Sequence, residues 1–326
     1  MDAQTMDQLR GMIETNCSFR VKRLEPLTTG GSTAFSQILY TDDDRMFLVK
    51  LMRIDDRWQE YLNTLNAIGS LDLLMPRLEA GFLFQPGVLC LVTAWVTGTV
   101  FDPQDMELVQ LDHTAGKFAG YLRRLHTLPV QEGGREYSIA ENIRSSITFL
   151  EDNAVTLPHQ KLYTRYLEDP GNSPYTDARR GYIHFDLHRK NILCCQNGNC
   201  CLIDWEIAGI SDVWRDFVYA VCIHQPEERD FWLLLLLHYF EDAIPDRFFT
   251  ASRFYTVLFM MMLVRSNCAK GTMAQHSMLA QKIFDDYQGL KCTIPVWMKQ
   301  TAERLLAAEI GHQAELTRLI RLIEEE

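Results

Sequence analysis

The sequence predicts an α+β chain of two lobes: an N-terminal antiparallel sheet with one helix over residues 1–95, then a larger, mainly helical lobe over residues 96–326. Two observations carry this prediction. Short strand-like runs bounded by turn residues crowd the first ninety-odd positions. Beyond Val96 the apolar residues recur at helical spacing instead. A length of 326 residues, 47% hydrophobic and 23% charged, suits one large domain or two lobes and excludes a disordered chain.

The first strand is read over Phe19 to Leu27. Thr28-Thr29-Gly30-Gly31-Ser32 links it to a second strand, Ala34 to Tyr40. The polar turn Thr41-Asp42-Asp43-Asp44-Arg45 returns the chain as Met46 to Met52, an antiparallel partner. A helix follows, with Asp55 or Asp56 as its N-cap, an apolar stripe of Trp58, Leu62 and Leu65, and Gly69 at its end. Phe82 to Phe84 and Val88 to Val92 form a hairpin across Pro86-Gly87. In the second lobe Leu111, Phe118, Leu122 and Leu125 mark a helix that Pro129 ends. A polar loop runs from Asp169 to Arg180, a hairpin brackets Asn197-Gly198, and residues 215–326 read as mainly helical. His126 and His238 fall within helical patterns, where they cap or pack.

Net charge is −11 and the pI about 5.3, which argues against a nucleic-acid surface and permits a cationic small molecule. Met1 to Arg20 carries no apolar run or cleavage site of a secretory leader. Phe231 to Phe240 and Phe254 to Val264 fall short of the ~20 residues a bilayer crossing needs, so they read as buried core helices without membrane insertion. Cys194-Cys195 and Cys200-Cys201 flank a turn and invite a four-thiolate metal site. Adjacent strand residues face opposite ways, however, so packing cysteines in a reducing, cytoplasmic setting is the expectation. Oligomeric state is not legible.

The stretch Gly181 to Ala220 concentrates polar residues at telling intervals: His184-x-Asp186-x4-Asn191, an apolar strand, a tight turn, then Leu202-Ile203-Asp204-Trp205 returning. Phosphoryl transfer needs this inventory. One carboxylate must accept the proton of an attacking hydroxyl, while a second carboxylate and an amide hold Mg²⁺ against nucleotide phosphates. In the predicted hairpin Asn191 leaves the loop as one strand begins and Asp204 returns on its neighbour, within reach of one metal ion. Earlier in the chain, Lys50 sits mid-strand between Val49 and Leu51, so its charge needs a partner.

The stretch resembles the aminoglycoside phosphotransferase and choline kinase family, through H-x-D-x4-N, Ile203-Asp204-Trp205-Glu206-x-Ala208-Gly209-x2-Asp212, and Asp216. The looser resemblance spans about residues 20 to 225. It implies a protein-kinase-like fold and a small-molecule kinase using Mg²⁺ and ATP, or GTP, with a small alcohol as acceptor, an aminoglycoside or choline-like amino alcohol among the candidates. By the same resemblance Asp186 is the catalytic base, and Asn191 and Asp204 are metal ligands. His184 braces the loop, Asp216 accepts hydrogen bonds from the loop backbone, and Glu206 either touches a second metal or is an exposed strand-end carboxylate. Lys50 binds nucleotide phosphates and pairs with a helix glutamate, for which Glu60 is the candidate, although a solvated helix face explains Glu60 as well. Gly30, Gly31 and Ser32 either lay backbone N–H groups over phosphates or simply make a turn, and the resemblance has the backbone of Ala94 and Val96 meet the adenine edge, where an ordinary strand end is the alternative. Phe185 departs from the pattern, standing where many antibiotic kinases have Gly. A catalytically silent nucleotide-binding regulator and, less so, a protein kinase are the competing readings.

Overall fold

The computed structural model describes residues 2–27, 35–70, 75–174, 179–195, 199–268 and 271–326. The chain begins with α1 (Ala3–Asn16), β1 (Val21–Pro26), β2 (Phe35–Thr41), β3 (Met46–Arg53) and α2 (Trp58–Gly69). β4 (Leu78–Gln85), β5 (Val88–Ala94), β6 (Thr99–Val100), α3 (Leu108–His126), α4 (Ile139–Asp152) and α5 (Gln160–Glu168) follow. β7 (Arg180–Ile183), β8 (Ile192–Cys194), β9 (Cys200–Leu202) and β10 (Gly209–Asp212) precede the last five helices. These are α6 (Arg229–Tyr239), α7 (Asp246–Asn267), α8 (Met273–Asp286), α9 (Trp297–Ala307) and α10 (Gln313–Glu325). They form two compact units: Met1–Val100 with Gln131–Arg135 and Ile192–Ala208, and Phe101–Val130 with Glu136–Asn191 and Gly209–Glu326.

In the first unit a five-stranded antiparallel sheet runs in the order β1-β2-β3-β5-β4. Alternation along β3 buries Phe47, Val49 and Leu51 on one face. That face packs with Phe82, Phe84 and Val92 and with Leu9 and Ile13 of α1. The other face carries half-buried Leu48, Lys50 and Met52. Gly87 takes the positive φ, 72°, that the tight β4–β5 link demands.

Helix α1 corrects the sequence reading, which assigned one helix to this lobe. It buries only Leu9 and Ile13, one turn apart in a polar run, with Met12 half-buried beside them, and Asp2 caps it by accepting from Thr5 N at 2.8 Å. Helix α2 is present but rotated from expectation: Tyr61, Leu65 and Ile68 are its buried stripe, while Trp58 and Leu62 are half-buried. Neither Asp55 nor Asp56 is its N-cap; Asp55 accepts from Arg57 N, one position outside the helix.

In the second unit α3 packs along α6, and α7 is surrounded by α4, α5 and α8. Leu111, Phe118, Leu122 and Leu125 of α3 are buried, as their spacing predicts. α7 is one helix long and apolar enough to cross a membrane, but 78% of its apolar window is buried within the fold, as a core helix requires. β7 and β10 form a short antiparallel ladder, Ile183 opposite Gly209. A Cβ at Gly181 would fall 2.7 Å from the His126 carbonyl oxygen, so glycine lets β7 approach α3 closely.

Candidate active site

In the second unit β7 delivers the loop His184 to His188, which leads into a single 3₁₀ turn, Arg189–Asn191. Phe185 holds φ at +68°, a left-handed conformation that costs a bulky residue on the order of 1–3 kcal/mol. Two features sustain it. Asp216, on the 3₁₀ turn Val213–Phe217, accepts from His184 N at 2.9 Å and from Phe185 N at 2.5 Å. The Phe185 ring meanwhile packs against Tyr137 and Phe259, with the Arg215 guanidinium 4.3 Å from its centre. The departure from Gly thus has a physical account: glycine takes this φ freely, whereas Phe185 is anchored there by its ring. Asp216 also meets His126 Nε2 at 3.0 Å, and His126 Nδ1 meets the Tyr239 hydroxyl at 2.8 Å, all fully buried.

Asp186 follows Phe185 directly, its carboxylate 26% exposed. Its Oδ2 accepts from Asn191 Nδ2 at 3.0 Å, and the same amide nitrogen donates to the Asp186 carbonyl at 2.9 Å. His188 Nε2 lies 3.5 Å from Oδ2, and Asp186 N donates to His184 Nδ1 at 3.3 Å. Burial alone would raise the Asp186 pKa; hydrogen bonds from His188 and Tyr219 and the histidine charges more than offset it and hold it below the ordinary carboxylate value. An ionised carboxylate with one face open can accept a hydroxyl proton. Arg189 ties down the following turn, reaching Asp102 and Glu228 at 2.9 Å each.

In the first unit the β8–β9 hairpin runs into Asp204, whose φ is +64°. Lys50 Nζ lies 2.8 Å from Asp204 Oδ1 and 2.8 Å from Glu206 Oε1. Burial pulls the lysine pKa down, but the two carboxylates raise it above its ordinary value. Trp205, buried between them, donates its Nε1–H to Leu202 O at 2.8 Å and accepts at its carbonyl from the Tyr61 hydroxyl at 3.2 Å.

The Lys50 pairing corrects the expectation for Glu60, which lies half-buried on α2 and whose backbone carbonyl, not its carboxylate, receives Arg135 N at 3.0 Å. Its neighbour Tyr61 is what α2 turns inward. Glu206, whose role the sequence left open, is the lysine's carboxylate partner along with Asp204. His188, Tyr219 and Tyr61 were not singled out from the sequence, although His188 lies two residues from Asp186.

Ala94 ends β5, and its N–H donates to Arg77 O at 2.8 Å. Among the described residues no backbone acceptor takes the N–H of Val96. Gly30, Gly31 and Ser32 lie outside the described residues. Across the hairpin Cys194 pairs with Cys200 and Leu193 with Cys201. A hydrogen bond with Cys200 lowers the Cys194 thiol to about 7. The four thiols do not gather at chelating distance among the described residues.

Asn191 and Asp204 each carry oxygen donors, the ligand type Mg²⁺ takes. Asn191 commits its amide nitrogen to Asp186 and so offers a cation its carbonyl oxygen. The Lys50, Asp204 and Glu206 charges sum to −1, which also fits a cation.

The chain matches the model of the phosphotransferase enzyme family over residues 27–249, well over half its length, and the protein belongs to that family. No curated protein matches it in sequence. Among solved structures it is similar to the gentamicin complex of APH(2″)-IIa, at 12% identity and a TM-score of 0.66, covering 89% of this chain and 98% of that one. The choline kinase LicA from Streptococcus pneumoniae matches at 16% identity and a TM-score of 0.59, over 86% of this chain and 99% of that one. Aminoglycoside phosphotransferase APH(4)-Ia matches at 15% and 0.63, over 86% and 97%. At such identities the likeness is one of fold, and that fold is the protein-kinase-like α+β fold the sequence predicts.

Proposed function

We propose that the protein transfers the terminal phosphoryl group of ATP, or of GTP, to a hydroxyl of a small molecule with Mg²⁺ bound. The observation that carries the proposal is Asp186: ionised, one face open, and held by Asn191 beneath a strained turn that a buried carboxylate sustains. Asp186 orients the acceptor hydroxyl and takes its proton. Asn191 and Asp204 supply the oxygens for Mg²⁺, which when bound offsets phosphate charge. Lys50 presents its ammonium to phosphate oxygens, Glu206 keeps that lysine charged, and the N–H of Val96, which no backbone acceptor takes among the described residues, suits the adenine edge.

For the acceptor, the charge of −11 favours a cationic alcohol. The similar structures include gentamicin and streptomycin complexes and a choline kinase, which supports an aminoglycoside or a choline-like amino alcohol. Nine cysteines without a disulfide support a reducing, cytoplasmic setting.

ADP release from Mg·ATP, measured across aminoglycosides, choline-like alcohols, sugars and amino alcohols, tests this. One class should stimulate release, and Asp186→Asn should cut turnover by about 10²–10⁴ while keeping nucleotide affinity. Equal turnover in the variant would refute the base assignment; nucleotide binding without turnover on any acceptor would favour a regulator.

A further inference from the structure

Away from the phosphotransfer residues, three side chains of the second unit gather around one point. Asp112 comes from α3, His238 from the last turn of α6, and His312 from the position preceding α10. Asp112 Oδ1 lies 2.8 Å from His238 Nε2 and 3.2 Å from His312 Nε2. The ligating atoms of all three lie within 4.8 Å of one another. The imidazoles stand at 90° with centroids 4.6 Å apart, so their Nε2 atoms approach a common point without stacking. A tetrahedral ion with bonds of about 2.0–2.1 Å has ligand–ligand edges of about 3.3 Å; the His312–Asp112 separation matches this, and the 2.8 Å His238–Asp112 hydrogen bond would open by about 0.5 Å on binding.

A second observation concerns the far side of His312, where Nδ1 is hydrogen-bonded to Asp242, in the turn after α6. His312 is therefore flanked by two carboxylates. A neutral imidazole has one N–H and can donate to only one of them; the other would face a lone pair. A second proton on the ring would resolve the mismatch, and so would an ion, with Nδ1–H donating to Asp242 while the Nε2 lone pair and Asp112 bind the cation. A carboxylate on the distal nitrogen is the usual outer support of a metal-binding histidine. The same arrangement shows why sequence reading assigned His238 to packing: its partners lie 126 and 74 residues away along the chain (Asp112 and His312).

We propose that Asp112, His238 and His312 bind one divalent transition-metal ion of the Zn²⁺ class, with water completing the coordination. Two imidazoles and a carboxylate suit Zn²⁺ and not Mg²⁺. The ion joins α3, the end of α6 and the start of α10, and so pins the last helix of the chain. Its role is structural and independent of the phosphotransferase reading.

The test begins with full-length protein stripped of metal, titrated with Zn²⁺ by calorimetry and with Co²⁺ by visible absorption, without nucleotide. One equivalent should bind, Co²⁺ should give a tetrahedral d–d band without a thiolate charge-transfer band, and the melting temperature should rise. His312→Asn, chosen because Asn tolerates the φ of 60° found there, and His238→Gln should each abolish binding. Asp242→Asn should weaken it about 10–100-fold. Melting of the metal-free variants verifies that they fold. No binding by wild type, binding unchanged in folded variants, or thiolate-type Co²⁺ spectra would each overturn the proposal and leave a hydrogen-bonded strap.

Discussion

The two clusters of family-motif residues are held by opposite means. In the first unit Lys50, Asp204 and Glu206 compensate one another as ions, with side chains 13%, 28% and 23% exposed. In the second unit Asp216 is fully buried and accepts from two backbone N–H groups as well as meeting His126. Partly solvated ion pairs exchange partners at little cost, because water and other ions replace what is lost. A buried carboxylate with committed donors cannot, since each orphaned group keeps its full desolvation penalty. The ionic cluster thus suits charges that must be handed to a ligand, and the buried one suits a loop that must keep its shape.

Asp216→Ala probes the rigid side and carries the largest expected effect. It strands the N–H groups of His184 and Phe185 and should cost about 3–5 kcal/mol by denaturant unfolding. A loss below about 1 kcal/mol would put Asp216 on the same footing as the ion cluster and erase the contrast.

The second unit should also show an acid limb. His224 is buried, its Nε2 without a partner among the described residues, and burial, then the Lys282 and Arg229 charges, push its pKa from 6.5 down to about 3. Below pH 6.5 the unfolded chain takes up a proton that the folded chain refuses. Stability is therefore full above that pH and falls toward pH 3, by about 1.4 kcal/mol per pH unit. Between pH 8 and pH 5 the wild type should lose about 2 kcal/mol more than His224→Asn. Parallel curves would show that this histidine is protonated in the folded state.

Lys50→Met tests the exchangeable side. It leaves Asp204 and Glu206 facing each other but partly hydrated, so unfolding free energy should fall by only about 1 kcal/mol, while nucleotide affinity measured by calorimetry should fall at least tenfold. A stability loss as large as that of Asp216→Ala would mean that the ion cluster is scaffold.

The sequence revealed the second unit's motif better than the contacts of the first. His184, Asp186, Asn191 and Asp216 lie within 33 positions, and a loop, a ladder and a turn relate them locally. Lys50 meets its partners 154 and 156 residues later, a pairing that no helical wheel of α2 can display. The misplaced stripe of α2 has a similar origin. Trp58, Leu62 and Leu65 and Tyr61, Leu65 and Ile68 are both helical patterns, and only packing decides between them. Helix α1 was missed because its buried face offers just Leu9 and Ile13.

That ambiguity supplies the smallest and most discriminating pair of variants. Tyr61 donates to the Trp205 carbonyl, beside Asp204, whereas the Glu60 carboxylate plays no part in holding Lys50. Tyr61→Phe should cost about 1 kcal/mol and slow turnover modestly by loosening the Asp204–Glu206 segment. Glu60→Gln should change stability by less than about 0.5 kcal/mol and leave nucleotide affinity unchanged. The reverse order, with Glu60→Gln the more damaging, would mean that Lys50 trades Asp204 and Glu206 for the helix carboxylate when nucleotide binds, and would return Glu60 to the role the family resemblance implies.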